Sequence, residues 1–238
     1  MLWDLLFAHS TDGAGRQTLE KISEEVPSSI VREGGLSALL TYLDFFSFHV
    51  QRTAVTAAAN CCRSLTPDSF DMVLAVMPIF TTVLGYPDQR VVEQACLAIV
   101  RIVESYRHHP DKLESLLTPT VLSAIRALLN PDSSTIGPGT YTQILKMLAI
   151  AAKASPAVAM SQIEHHVAET LYHVLTGVAP AEFPSDDGPQ ALPRKEANDD
   201  LVIMQNLVQR PKEQIQETLG LVCELLPSLP KGTFLAMF

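Results

Sequence analysis

A helical unit that recurs about every 40 residues constrains this chain more than any other feature, because a period of that size builds a solenoid. Two strings show it best: VQRTAVTAAANCCRSL (Val50 to Leu65) and DQRVVEQACLAIVRIV (Asp88 to Val103). With Gln51–Arg52 placed on Gln89–Arg90, an offset of 38, Ala54 falls on Val92, Ala57 on Ala95, Cys61 on Ile99, Cys62 on Val100 and Leu65 on Val103. Arg63 falls on Arg101. Solenoids bury a core between neighbouring units and leave a long curved groove open. Binding is therefore expected before catalysis.

The rest of the chain is punctuated on the same period. A helix is expected over 14–26, with Leu19, Ile22 and Val26 on one face and Pro27 at its end. A short turn of helix at Ile30–Val31 then stops at Gly34–Gly35. Leu36 to Phe46 reads as a second helix, with Leu39, Leu40 and Leu43 in register, and a long third begins at Val50. Short, medium and long helices in that order are the armadillo pattern rather than the two-helix HEAT pattern. In the second unit Ser69 is an N-cap, Pro78 is expected in the first turn of a middle helix, and Asp88 caps a long helix reaching about Tyr106. The third unit starts at Pro110–Asp111, with Pro119 opening its middle helix (121–129) and the loop NPDSSTIGPG preceding a long helix from Tyr141 to Ala154. The prolines Pro78 and Pro119 are 41 residues apart, which agrees with the period. A fourth unit starts at Pro156 and has a middle helix over 167–175.

The pattern then breaks. Residues 179–200 hold Pro180, Pro184, Pro189 and Pro193, with six acids against two bases, the composition of a disordered acidic insert. Periodicity resumes at Leu201, and Pro211 opens a helix to about Leu226 that would supply the missing long helix. The expected fold is all-α: an armadillo-like right-handed superhelical solenoid of about four three-helix repeats. Repeats are expected over 14–178 and closing helices over 201–238, with 1–13 outside the pattern. The apolar ending Phe-Leu-Ala-Met-Phe is unlike the polar cap of a natural solenoid, so the chain is expected to be part of something longer.

Composition excludes several function classes. A net charge of −9 lacks the basic excess of a general nucleic-acid binder. No run of about 20 apolar residues predicts a membrane span. The start MLWDLLFAHS has no preceding base and is interrupted by Asp4, so it makes a poor signal peptide. Cys61, Cys62, Cys96 and Cys223 are read as reduced thiols of a nuclear and cytoplasmic protein. The pairs His108–His109 and His165–His166 lack zinc-site spacing. No phosphate loop or nucleophile motif appears, so neither cofactor nor catalytic residue is expected.

The candidate partner-binding residues lie on the long helices: Arg52, Thr56, Asn60, Arg63, Arg90 and Arg101, with Lys146 and Lys153 beyond them. Armadillo arrays that bind extended peptides place an Asn where Asn60 stands, because an amide both donates to and accepts from a peptide backbone. Two departures weaken that match here: the next repeat has Ala98, and Thr56 occupies the position of a partner tryptophan. The other reading of Asn60 is a structural polar residue satisfied by its neighbours. The arginines suit an acidic partner segment, or are ordinary solvated charge. The acidic insert itself is one candidate to fold over them.

The string EKISEEVPSSIVREGGLSALLTYLDFFSFHVQRTAVTAAANCCRSLTPDSF, with VVEQACLAIVRIVESY and LVCELLPSLPKGTF later, resembles the armadillo-like region of HECT ubiquitin ligases of the ubiquitin-fusion-degradation type. That family includes the thyroid-receptor-interacting ligases of animals and their fungal and plant relatives. The resemblance implies a module that recruits ubiquitinated, ubiquitin-fused or degron-bearing proteins. It also implies a HECT domain outside this stretch that meets ubiquitin and its E2 and forms the ubiquitin thioester. No cysteine here stands in a HECT-like Thr-Cys-Phe context, so no catalytic residue carries over. The alternative is a stand-alone armadillo adaptor or scaffold without ligase activity.

Overall fold

The computed structural model describes residues 21–41, 43–45, 47–131, 135–177 and 211–228, and every structural statement below concerns these. The expectations for 1–13, for the insert 179–200 and for the terminal Phe-Leu-Ala-Met-Phe lie outside them. Among the described residues there is no strand.

Residues 21–25 are helical, and Pro27 opens α1 (Pro27–Arg32). The two glycines that follow serve different ends. Gly34 takes the left-handed conformation (φ 74°) and its N–H bonds the Val31 carbonyl, so it stops α1. Gly35 starts α2 (Gly35–Leu40) against α1, where an added Cβ would lie 2.5 Å from Ile30 Cγ2 and 2.8 Å from its carbonyl oxygen. The expected helix to Phe46 ends early, at Leu40, and gives way to a 3-10 turn over Leu43–Phe45. The tighter turn keeps Leu43 buried and leaves its carbonyl free to accept from Gln51 Nε2 at 3.1 Å.

The long helix α3 (Phe48–Cys61) follows. It is buried at Ala54, Val55, Ala57, Ala58, Ala59 and Cys61, and its small side chains let neighbours approach on both flanks. The second unit corrects the expectation for Pro78. One continuous helix, α4 (Phe70–Val83), replaces the separate first and middle helices, and Pro78 lies inside it. The missing N–H of Pro78 leaves the carbonyl one turn earlier, on Leu74, without its helical partner. The helix persists because Val73, Val76, Met77, Phe80 and Val83 are buried along one side. Pro78 and Pro119 therefore occupy non-equivalent positions, and their spacing does not mark the repeat.

The remaining helices are α5 (Gln89–Ser105), α6 (Pro110–Leu116), α7 (Pro119–Leu129), α8 (Pro138–Ala154), α9 (Pro156–Glu164), α10 (Val167–Thr176) and α11 (Lys212–Leu225). Pro110, Pro119, Pro138 and Pro156 each sit at a first turn, where the absent donor costs nothing. Asp88 caps α5 as the sequence predicts, accepting from the N–H groups of Arg90 and Val91. Each long helix packs on the next: α3 on α5, α5 on α8 and α8 on α11. One continuous apolar core runs beneath them, from Ile30 to Leu225. The protein is an all-α armadillo-like solenoid.

Candidate functional site

The long helices form a single layer, and the side-chain contacts give their direction. Arg52, near the start of α3, donates to Asp88 at the start of α5 (Nε at 2.9 Å, Nη2 at 2.5 Å). Arg101, near the end of α5, donates from Nη1 to the Ala59 carbonyl near the end of α3 at 2.5 Å. Start meets start and end meets end, so α3 and α5 run parallel. The same holds onward: the Gly137 N–H, at the start of α8, donates to Glu93 Oε1 near the start of α5 at 2.7 Å. In α8 and α11, Lys146 and Glu217 lie 3.5 Å apart.

Parallel helices with buried flanks present one open strip each. On α3 the accessible positions include Arg52, Thr53 and Thr56; on α5, Arg90, Glu93, Gln94, Leu97, Arg101 and Glu104; on α8, Gln143, Lys146, Ile150 and Lys153. These recur at three- and four-residue steps, the spacing of one helix face.

The residues singled out from sequence fall into three groups. Asn60 is inside, 5% exposed, and its amide donates to the Ser23 hydroxyl at 3.2 Å. That is the buried polar reading, not a groove contact. Arg52 and Arg101 are accessible but engaged in joining α3 to α5. The Arg52 guanidinium holds the Asp88 carboxyl below the usual carboxylate range, chiefly through their hydrogen bond. Burial lowers the pKa of Arg101, and neighbouring Arg63 lowers it further. Arg63 and Arg90 are exposed, and Thr56 is half-buried on the strip of α3. Sequence reasoning missed Asp88 as the partner of Arg52, Glu93 as the acceptor that receives the start of α8, and Ser23 beneath Asn60.

The cysteines offer no nucleophile within the core. Burial pushes the thiols of Cys61 and Cys96 up to about 12 and that of Cys62 higher still, so all three are protonated at neutral pH. Cys223 is exposed on α11. Among the described residues no group of three His, Cys, Asp or Glu side chains is placed to hold a metal, and no helix is long and apolar enough to cross a membrane. An open cleft of about 630 Å³ lies between the end of α4 and α7, lined by Thr81, Thr82, Tyr86, Gln89 and Leu128 among others, with no charged side chain among the described residues of its wall.

No family model matches the chain. Curated relatives do. The chain is 30% identical over 219 residues to the E3 ubiquitin-protein ligase TRIP12 of Danio rerio, covering 92% of this chain and 10% of that protein. It is 32% identical over 221 residues to the E3 ubiquitin-protein ligase UPL3 of Arabidopsis thaliana, covering 91% and 11%. A probable ubiquitin fusion degradation protein of Schizosaccharomyces pombe is 30% identical over 210 residues, covering 88% and 12%. The chain thus spans about a tenth of the length of these relatives. Among solved structures, a designed armadillo repeat protein in complex with a (KR)4 peptide aligns over 98% of this chain and 88% of its own, with a TM-score of 0.65 at 16% identity. A computationally designed armadillo repeat protein for modular peptide recognition gives 0.65 at 17% identity, covering 93% and 79%. These two likenesses establish the fold.

Proposed function

Because the chain is homologous to one segment of the HECT E3 ubiquitin ligases of the ubiquitin-fusion-degradation type, we propose that it is the substrate-holding solenoid of such a ligase. Its layer of long helices binds a protein, ubiquitin-fused or degron-bearing, that a catalytic domain elsewhere in the ligase modifies. The observation that carries this reading is the layer itself: parallel helices, locked to one another at their ends, with their remaining polar strips side by side. Such a surface is rigid before its partner arrives, so little ordering cost falls on binding. Holding the substrate beside a tethered transferase raises the effective concentration of the target lysine, and that is the solenoid's whole contribution to rate.

The test is direct binding of the purified chain to a non-cleavable ubiquitin fusion of a fluorescent protein. Leu97→Arg and Gln143→Arg place new bulk and charge on the strips of α5 and α8. We expect each to weaken binding about tenfold, worth about 1.4 kcal/mol. Ser123→Arg, exposed on α7 and outside the layer, is the control and should bind like the parent. Equal binding of fused and unfused protein, or equal loss in all three variants, would sink the reading.

A further inference from the structure

The charges of the layer are unevenly matched. Arg52 is engaged by Asp88, and Lys146 lies beside Glu217. Arg63 and Arg101 have no carboxylate within ion-pair distance among the described residues, although they sit close enough for Arg63 to disfavour the charge on Arg101. Geometry explains the closeness. The bond from Arg101 Nη1 to the Ala59 carbonyl draws that guanidinium over the end of α3, and Arg63 stands just past that end, not on the long helix as expected but on a 3-10 turn (Cys62–Ser64) that packs against α5. Glu104, one turn along from Arg101, is exposed and favours the Arg101 charge from a distance, but it makes no ion pair among the described residues.

A cation at a helix C-terminus is ordinarily explained by the macrodipole and the orphan carbonyls. That accounts for Arg101, which caps Ala59. It does not account for a second guanidinium placed beside the first, because like charges at close range in a half-buried setting repel unless an anion joins them. Arg101 uses one N–H on the carbonyl, and a guanidinium has five. Its remaining donors, with the whole fork of exposed Arg63, suit bidentate recognition of a carboxylate. Lys153, exposed in the last turn of α8, extends the cations to the end of the next long helix. Neighbouring helices lie about 8–10 Å apart, and an extended peptide covers that distance in about three residues.

We propose that Arg63 and Arg101 form a carboxylate-recognition point for an extended acidic segment of the protein held on the layer, with acidic residues about three apart matching successive helix ends. This rests on the substrate-holding reading and supplies its chemistry. The occupant belongs to the bound protein, since Arg63 is exposed beside the strip of α5 that carries Arg101 and the pair complements negative charge.

The experiment is fluorescence anisotropy on the full chain. The probes are a labelled Gly-Ser peptide carrying Glu at every third position and its Gln counterpart. The Glu peptide should bind about tenfold tighter than the Gln peptide and weaken as salt rises. Arg63→Gln should abolish that preference, and Arg63→Lys should keep only part of it, because an ammonium supplies charge without the fork. Arg63 is the primary variant, since it is exposed and its loss leaves the cap on Ala59 intact; thermal melts confirm the fold. Arg126→Gln, on α7, should stay within about twofold of the parent. Equal binding of the two peptides, or equal losses in Arg63→Gln and Arg126→Gln, overturns the proposal. A chain with Glu182, Asp186, Asp187, Glu196, Asp199 and Asp200 changed to their amides should bind the Glu peptide as the parent does. Binding that arises only in that chain would make the protein's own acidic stretch the occupant and overturn an outside partner. Ubiquitin-fusion binding lost in Leu97→Arg but unchanged in Arg63→Gln would leave the substrate-holding reading standing and remove the acidic segment from it.

Discussion

Asp88 does two things with one carboxylate. Oδ1 accepts from the Arg90 and Val91 N–H groups and caps α5, while Oδ2 accepts from Arg52 on the previous repeat. Asp88→Ala therefore loses a cap worth about 1 kcal/mol and frees Arg52 as well, and urea unfolding should show the larger combined loss. The acid limb carries a second prediction. The native carboxyl titrates below the usual range, so its stabilisation is complete above the unfolded pKa, about 3.9, and is lost as pH falls through the native value. Asp88→Asn keeps a capping side chain but cannot titrate. Its stability should fall less steeply than the parent's below about pH 5. At the same scale, the sequence offered Arg52 and Arg63 as equivalent groove charges. They differ because the partner of Arg52 lies 36 residues on, a distance that means contact only once the long helices are known to be parallel neighbours. Asn60 misled for the same reason: Ser23, its acceptor, sits one repeat earlier.

At the scale of elements, punctuation by Gly and Pro was legible where the backbone alone decides. Gly34 needs a positive φ, and the prolines at 110, 119 and 156 need a helix start, whereas Pro138, expected in a loop before a helix from Tyr141, in fact opens α8. Gly35 is a matter of contact with Ile30, which periodicity does not reveal. Gly35→Ala should cost about 1–3 kcal/mol by overpacking, because one of the contacted atoms is a backbone oxygen that cannot swing aside. Pro78 was illegible for the opposite reason. The same residue type marks a first turn or is tolerated mid-helix, and only the apolar burial along α4 decides between them. Pro78 is exposed, so Pro78→Ala leaves no cavity and restores a backbone donor. A rise in melting temperature is expected, from a stabilisation of at most about 3 kcal/mol; a fall would show that the packing of α4 depends on the proline.

Over the whole molecule, the polar contacts between units among the described residues join neighbouring long-helix units, and apart from Lys146 with Glu217, which lie on either side of 178–210, they span about one repeat in sequence. Ser28 to Ser64, Tyr86 to Asp44, Arg101 to Ala59, Tyr106 to Thr66, Lys112 to Pro67, Gly137 to Glu93 and Ser155 to Glu114 are 36 to 45 residues apart. A solenoid bound this way is held by nearest-neighbour terms, so damage stays local. Leu122, fully buried in α7, tests this. Leu122→Ala should cost about 2–5 kcal/mol, and hydrogen exchange should speed up across α6 to α10 well before it does in α1 to α3. Uniform acceleration along the chain would contradict nearest-neighbour stability.

The sequence by itself determined the repeat, the all-α class and the helix starts at Pro110, Pro119 and Pro156, since each follows from local backbone preference and a 38-residue recurrence of small and apolar residues. The tertiary structure alone decided which charges are open. Arg52, Arg63, Arg90 and Arg101 look alike along the chain, and only the parallel packing of α3 on α5 gives the first a carboxylate, the last a carbonyl, and sets Arg63 beside Arg101. The function of a surface depends on what each side chain has left after its neighbours have used it, and those neighbours lie one repeat away.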